Sequence, residues 1–278
     1  MRRVVKKNNN LVSIVIPTYL PLRTLKKCLE SLEAQTYQEI EIIIVDSTPQ
    51  KIAKHKVKEM AQKYGRYFFD GPERSIQRNR GIKEAKGKYI LTIDQDMYLT
   101  RNVIKDCVSA IERNRYIALI IPEISIGEGY WTQCVALERY VSIYLEEGMN
   151  ECCRFFRKKD ALAIGCYDPT IVGVEDSDFH YRMAKKGSIG KIKSHIVHDE
   201  GRTTFLGRVK KKYYYSRAFR LYLERHPEIA VKQFFPIKKA YFKHWQYLAK
   251  KPQITIGIIM LRSAEVVAGA IGVVQKSK

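Results

Sequence analysis

Apolar residues fall along this chain in two rhythms. Leu11 to Pro17, Glu41 to Asp46 and Tyr89 to Ile93 are dense in β-branched residues and apolar at nearly every position, as strands are when a parallel sheet buries both of their faces. Between them the spacing changes to that of a helix face. Leu22, Leu25, Cys28, Leu29 and Leu32 predict a helix over 21–35, with a basic helix over 50–64, a short strand over 67–69 and a third helix over 73–85. Val103, Ile104, Cys107, Val108 and Ile111 predict a helix over 100–113, and Pro122 closes a strand over 116–121. Such alternation argues for an α/β fold with a mostly parallel sheet and right-handed crossovers.

Beyond residue 122 the pattern is less regular. A helix is expected over 131–146, a strand over 152–156, a helical turn over 160–163, a helix opened by acidic residues near 175 and stopped by Gly187, and a strand over 189–193.

Parallel sheets bind ligands beyond the carboxyl ends of their strands. Those ends here carry Thr18, Asp46, Asp70, Asp94 and Asp96, so a nucleotide site is expected along that edge. In Asp94-Gln95-Asp96 two carboxylates one residue apart can face the same point. Oxygen ligands at that spacing suit Mg2+ or Mn2+ carrying a diphosphate; an ordinary acidic loop is the alternative. Glu175-Asp176-Ser177-Asp178 also has two readings, since acids favour a first helical turn through the macrodipole and Asp178 with Arg182 makes an i,i+4 pair.

Composition narrows the setting. A formal charge of +21 and a pI near 9.7 imply an anionic partner: nucleic acid, an acidic membrane surface or phosphorylated substrates. The six cysteines show no metal-binding spacing, and the adjacent Cys152 and Cys153 are a poor disulfide pair, so reduced thiols in a cytosolic protein are expected. The segment 1–10 is basic but lacks the apolar stretch of a signal peptide, which points to a protein that is not exported.

The order of the motifs resembles the family 2 glycosyltransferases, nucleotide-sugar enzymes of the GT-A fold, over roughly 11–200. Val15-Ile16-Pro17-Thr18-Tyr19, Asp46-Ser47, Gln77-Arg78-Asn79-Arg80-Gly81-Ile82, Asp94-Gln95-Asp96 and Glu175-Asp176-Ser177-Asp178 carry the resemblance. It implies that Pro17, Thr18 and Tyr19 line the nucleotide pocket, that Asp46 contacts the base, and that Arg78 and Gln95 lie with the nucleotide. Asp94 would contact ribose or metal, Asp96 would hold the metal, and His198 would be a further metal ligand or a structural histidine. Asp176 would be the catalytic base. Two departures stand out: Asp46 is followed by Ser47-Thr48-Pro49 instead of further acids, and Gln77 replaces the usual Ala. There is no Gln-x-x-Arg-Trp segment, the mark of processive members, which favours addition of a single sugar.

The last third differs in character. Residues 202–251 carry a net charge of +12 with twelve interleaved aromatic residues, opened by Lys210-Lys211-Lys212-Tyr213-Tyr214-Tyr215. Basic residues beside aromatic ones suit an anionic lipid surface. From Ile254 to Val274 the chain is apolar apart from Thr255, Arg262, Ser263 and Glu265, and a monotopic segment, helices packed on the catalytic domain and a bilayer span all remain open. The expected organisation is a catalytic domain over 1–200 and a basic, aromatic helical extension over 201–278. The expected activity is metal-dependent, inverting transfer of one sugar to a lipid-linked or cell-surface glycan precursor at the cytoplasmic face of the membrane. A polyprenyl-phosphate sugar synthase is a neighbouring alternative. A nucleic-acid-binding protein is the alternative of another class; it would leave the ordered motifs unexplained and lacks zinc-finger or RNP signatures.

Overall fold

The computed structural model describes residues 10–20, 23–49, 51–146, 151–228 and 239–274. In chain order the elements begin with β1 (Val12–Thr18), α1 (Leu25–Glu33), β2 (Ile40–Asp46), α2 (Lys51–Tyr64), β3 (Arg66–Phe69), α3 (Arg74–Glu84) and β4 (Tyr89–Thr92). The middle holds β5 (Met97–Leu99), α4 (Val103–Arg113), β6 (Ala118–Ile120), β7 (Glu123–Glu128), α5 (Tyr130–Arg139), a π-helical turn (Tyr140–Tyr144), β8 (Cys153–Arg157) and α6 (Lys158–Ala163). After these come α7 (Glu175–Lys186), β9 (Ile189–Lys191), β10 (Ile196–Arg202), α8 (Phe205–Arg225), α9 (Lys239–Lys243), α10 (Trp245–Ala249) and α11 (Pro252–Val274). The chain forms two compact units, one of residues 1–121, 153–167 and 182–194, the other of 122–152, 168–181 and 195–278.

The first unit is built on a seven-stranded sheet of order β3-β2-β1-β4-β8-β6-β9. Strands β1 to β4 are mutually parallel, and β8 is antiparallel to both of its neighbours. The fold is therefore the α/β arrangement with a mostly parallel central sheet that the alternation predicts. Every residue of β1 is buried, as are the last five of β2, which is why those runs carry no polar alternation. Helix α1 turns Leu25, Cys28, Leu29 and Leu32 inward, and α4 turns in Val103, Ile104, Cys107, Val108 and Ile111. Register sets Thr18 opposite Asp46 and Asp46 opposite Phe69, so the carboxyl ends of three strands meet at one edge.

In the second unit β7 and β10 pair in parallel, with His198 opposite Ser125. Neither strand is evident in the sequence: Ile196-Val197 gives way at once to His198-Asp199-Glu200, which has no apolar period. The helix expected over 131–146 is α5 running into the π-helical turn. Helix α8 starts at Thr204, whose hydroxyl accepts from the Gly207 N–H at 3.1 Å. The segment Ile254 to Val274 belongs to one continuous helix, α11, packed along α8 and α5. All six cysteines are free thiols, and all but Cys152 are buried. Phe234 and Phe235, two of the interleaved aromatics, lie outside the described residues.

Candidate active site

Buried carboxylates need donors, and Asp46 has three. The Thr18 and Thr48 hydroxyls donate to its Oδ1 at 2.9 and 2.7 Å, and the Tyr67 hydroxyl donates to Oδ2 at 3.1 Å. Burial, reinforced by the Asp46 charge, holds the Tyr67 phenol well above its ordinary range. Thr48 Oγ1 also accepts from the Leu20 N–H at 2.9 Å. The Asp46 side chain thus fixes the turn after β1 from inside. Gly71 closes the neighbouring turn at φ +149°, where an added Cβ would sit 2.5 Å from the Ser47 Cβ.

The same turn is locked to the two-carboxylate motif through its middle residue. The Tyr19 N–H donates to Gln95 Oε1 at 2.7 Å, and Gln95 Nε2 donates back to the Tyr19 carbonyl at 3.0 Å. Pro17 is buried within β1 and Tyr19 is exposed at its end.

Helix α3 explains the Gln-Arg-Asn-Arg-Gly segment residue by residue. Gln77 Nε2 donates to the carbonyls of Thr18 and Val45 at 2.9 and 2.7 Å, tying the ends of β1 and β2 together. Arg78 is fully buried and donates through Nη2 to Asp94 Oδ1 at 2.8 Å, with its guanidinium 5.2 Å from the Tyr167 ring centroid. Asn79 grips the Tyr167 backbone both ways, Nδ2 to the carbonyl at 2.7 Å and the N–H to Oδ1 at 2.9 Å. At Gly81 a Cβ would fall 2.3 Å from Val15 Cγ1, so the glycine permits the approach of α3 to β1.

Asp94 is held on its other oxygen by Arg154 of β8, 3.8 Å away. Its neighbour Asp96 is half-buried, with Oδ1 inside the protein. Burial raises the Cys28 thiol well above its usual range, and the charges of Asp96 and Asp94 push it further. Negative charge therefore concentrates at this turn and is partly balanced by Arg78 and Arg154. Arg154 is a residue of the candidate site that periodicity does not reveal. Its signal is a single basic residue inside the otherwise apolar run Cys153-Arg154-Phe155-Phe156.

Asp176 and His198 belong to the second unit. Gly173, at φ +84°, precedes the acidic helix at a point where a Cβ would meet the Tyr215 ring at 2.5 Å. Of the two leading acids, Glu175 is buried and Asp176 half-buried. Asp178 is buried against His226, whose Nε2 lies 2.7 Å from its Oδ1. Arg182 donates to the carbonyls of Ile164 and Cys166, both at 2.7 Å. His198 sits on β10 with Nδ1 3.5 Å from Glu123 Oε2 and 3.8 Å from Glu200 Oε1. Burial pushes the Glu200 carboxyl up, but the charges of His198, Arg139, Arg208 and Lys211 outweigh it and leave the pKa lowered. Among the described residues no three His, Cys, Asp or Glu side chains are grouped to hold a metal ion.

The profile of the Glycosyl transferase family 2 matches residues 13–165, more than half of the chain. The protein belongs to that family. A family 2 transferase with these motifs is 27% identical over 222 residues to an uncharacterized glycosyltransferase of Methanocaldococcus jannaschii, covering 74% of this chain and 77% of that one. It is also 28% identical over 116 residues to the poly(ribitol-phosphate) beta-N-acetylglucosaminyltransferase TarS of Staphylococcus aureus. That match covers 39% of this chain and 20% of TarS. The mannosyltransferase of Pyrobaculum calidifontis, solved with GDP-Man and Mn2+, shares the fold at a TM-score of 0.66 and 16% identity, covering 98% of this chain and 89% of that one. The fold is accordingly that of the GT-A glycosyltransferases, and the chain is a glycosyltransferase.

Proposed function

We propose that this transferase moves one sugar from a nucleotide-sugar donor to a hydroxyl of a lipid-linked or cell-surface glycan precursor, with inversion at the anomeric carbon. The observation that carries the donor site is the double lock at the sheet edge: Gln95 bound to Tyr19, and Arg78 bound to Asp94. Pro17, Thr18 and Tyr19 line the nucleotide pocket, and Asp46 shapes the part that receives the base. Arg78 positions Asp94 toward the ribose.

Asp94 and Asp96 offer only oxygen donors, and a two-carboxylate pair fits Mg2+ or Mn2+ that takes further oxygens from a diphosphate and water. Such an ion, when bound, neutralises charge on the diphosphate leaving group. The Mn2+ in the Pyrobaculum mannosyltransferase complex supports this reading.

Asp176 takes the proton from the acceptor hydroxyl, and its half-burial beside a buried Glu175 supports it over its neighbour as the base. An acceptor already ionised, such as a polyprenyl phosphate, would need no base. The name of TarS, a poly(ribitol-phosphate) beta-N-acetylglucosaminyltransferase, supports a glycan-precursor acceptor class.

The test is a thermal-shift panel of UDP, GDP, dTDP and CMP sugars with and without Mn2+. One nucleotide series should raise the melting temperature, and more so with the ion. Indifference to all of them, together with salt-sensitive binding to nucleic acid, would replace the transferase site with a nucleic-acid interface.

A further inference from the structure

Helix α11 has two apolar faces, and among the described residues only one of them is covered. Gly257, Ile258, Leu261, Glu265, Ala268, Gly269 and Gly272 form a buried row at helical spacing, turned toward α5 and α8. Its small residues allow close packing: Cβ atoms added at Gly257 and Gly272 would fall 2.5 Å from the Tyr130 hydroxyl and 2.0 Å from Ser216 Oγ. The polar pair of α11 also points inward. Arg262 bonds Glu265 at 2.7 Å and also reaches Glu138 of α5, and Arg208 of α8 reaches Glu265 at 3.1 Å. The opposite face is solvent-exposed and apolar, with Ile256 at 58%, Ile259 at 61%, Met260 at 53%, Val267 at 60%, Ile271 at 48% and Val274 at 80% exposure. From Ile256 to Val274 it runs about 27 Å, longer than the scattered apolar residues of an ordinary surface.

We infer that this outer face of α11 lies in the plane of an anionic lipid surface, in the headgroup and acyl boundary, without crossing the bilayer. At 23 residues the helix is long and apolar enough to span. Spanning, however, would carry its packed neighbour α8 with it, and α8 holds seven Lys or Arg residues, each costing about 2.5–3.5 kcal/mol at mid-membrane. The inner face is also fully used by protein partners. The segment leading into α11 has the composition of an interfacial anchor: Phe242 and Trp245 are 72% and 65% exposed, and Lys243, Lys250 and Lys251 are exposed around them. That charge favours an anionic surface over a second copy of a chain carrying +21. The inference deepens the proposal of a membrane-borne acceptor by naming the face that docks.

Flotation of the full chain with phosphatidylcholine vesicles containing about one-third phosphatidylglycerol tests it. The protein should float with these vesicles and only weakly with pure phosphatidylcholine. Part of the binding should survive 1 M salt, which shortens the screening length to about 3 Å. The double variant Ile259→Asp with Val267→Asp should lose at least tenfold in vesicle partitioning while keeping its melting temperature and its donor-induced thermal shift. Alkaline carbonate should release the bound wild type. A chain that never floats, or a variant that floats as well as wild type, would overturn docking by this face. Retention after carbonate would show a span. A lipid-free dimer in sedimentation velocity that the same variant dissociates, with no flotation, would assign the face to a second copy. A retained donor shift keeps the transferase reading separate from all of these outcomes.

Discussion

Both units set arginines against carboxylates, and they put the pairs to different uses. In the first, Arg78 and Arg154 hold Asp94 where the carboxyl ends of the strands gather. In the second, Arg262 joins Glu138 to Glu265, and Arg208 closes the set between three helices. One network holds a carboxylate at the sheet edge, where the donor site is proposed; the other joins α5, α8 and α11 and keeps their charges out of an apolar face. The residue types are alike, so charge composition does not separate the proposed site from scaffold. Position relative to the sheet edge does.

The sharpest way to break the comparison is to remove the arginine of the scaffold network. Arg262→Met leaves Glu138 and Glu265 buried with reduced compensation. A loss of about 3 kcal/mol is expected, the low end for breaking a buried ion pair because the guanidinium is one-third exposed. The readout is the urea midpoint of full-length protein. Replacing Arg262, Glu138 and Glu265 together by apolar residues of similar size should recover much of the loss. If the single variant unfolds like wild type, the network is not holding the helices.

Asp176→Asn probes the opposite case, an acid whose expected role is chemical. Transfer should fall about a hundredfold or more while donor binding and melting temperature stay near wild type. A drop in melting temperature with transfer intact would make Asp176 a helix-capping residue.

The difference between the units also governs what the sequence discloses. Strands β1, β2 and β4 are legible because each is buried over most or all of its length and is apolar at most positions. Their ends could be read as a site because every parallel strand delivers its last residue to the same edge. The work of Gln77 and Asn79 is not legible, since it lies in bonds to backbone atoms of β1, β2 and Tyr167, the last of them 88 residues away. Arg154 is hidden for the same reason, on a strand from the middle of the chain that enters the sheet antiparallel. In the second unit the strands themselves escape notice. Strand β10 spends His198, Asp199 and Glu200 on a polar run beside Arg139, and its pairing with β7, not an apolar period, marks it as a strand. The low contrast of α11 has a physical cause too: a helix apolar on both its packed and its exposed face looks from sequence like a span.

Asp96→Asn returns to the proposed donor edge with a smaller expected effect. A half-buried loop carboxylate serves a ligand more than the core, so the melting temperature should hold. The gain in nucleotide affinity on adding Mn2+ should fall by about tenfold to thirtyfold, from loss of one oxygen ligand. Isothermal titration with and without Mn2+ measures it, and an unchanged Mn2+ effect would take Asp96 out of the metal site.

The smallest effect concerns acid. The first unit has one histidine, His55, which is exposed, whereas the second contains His180, buried on α7 with its pKa lowered to about 4 by that burial. An unfolded histidine titrates near 6.5. Above that value the imidazole is neutral in both states, and its burial costs nothing in protonation. As pH falls below it, the unfolded chain takes a proton that folded His180 refuses, so stability declines until the pH reaches about 4 and then levels off. Burial alone drives the shift, and the expected contribution is about 1 kcal/mol or more, on the order of one pKa unit of differential protonation. His180→Gln should remove this part of the pH dependence without altering it above pH 7. The measurement is the difference in melting temperature between wild type and variant at half-unit steps from pH 7.5 to 4. It should change steadily in favour of the variant between 6.5 and 4 and stay flat above. A difference that is constant across the range would mean that His180 acts through packing alone, and acid would then not distinguish the two units.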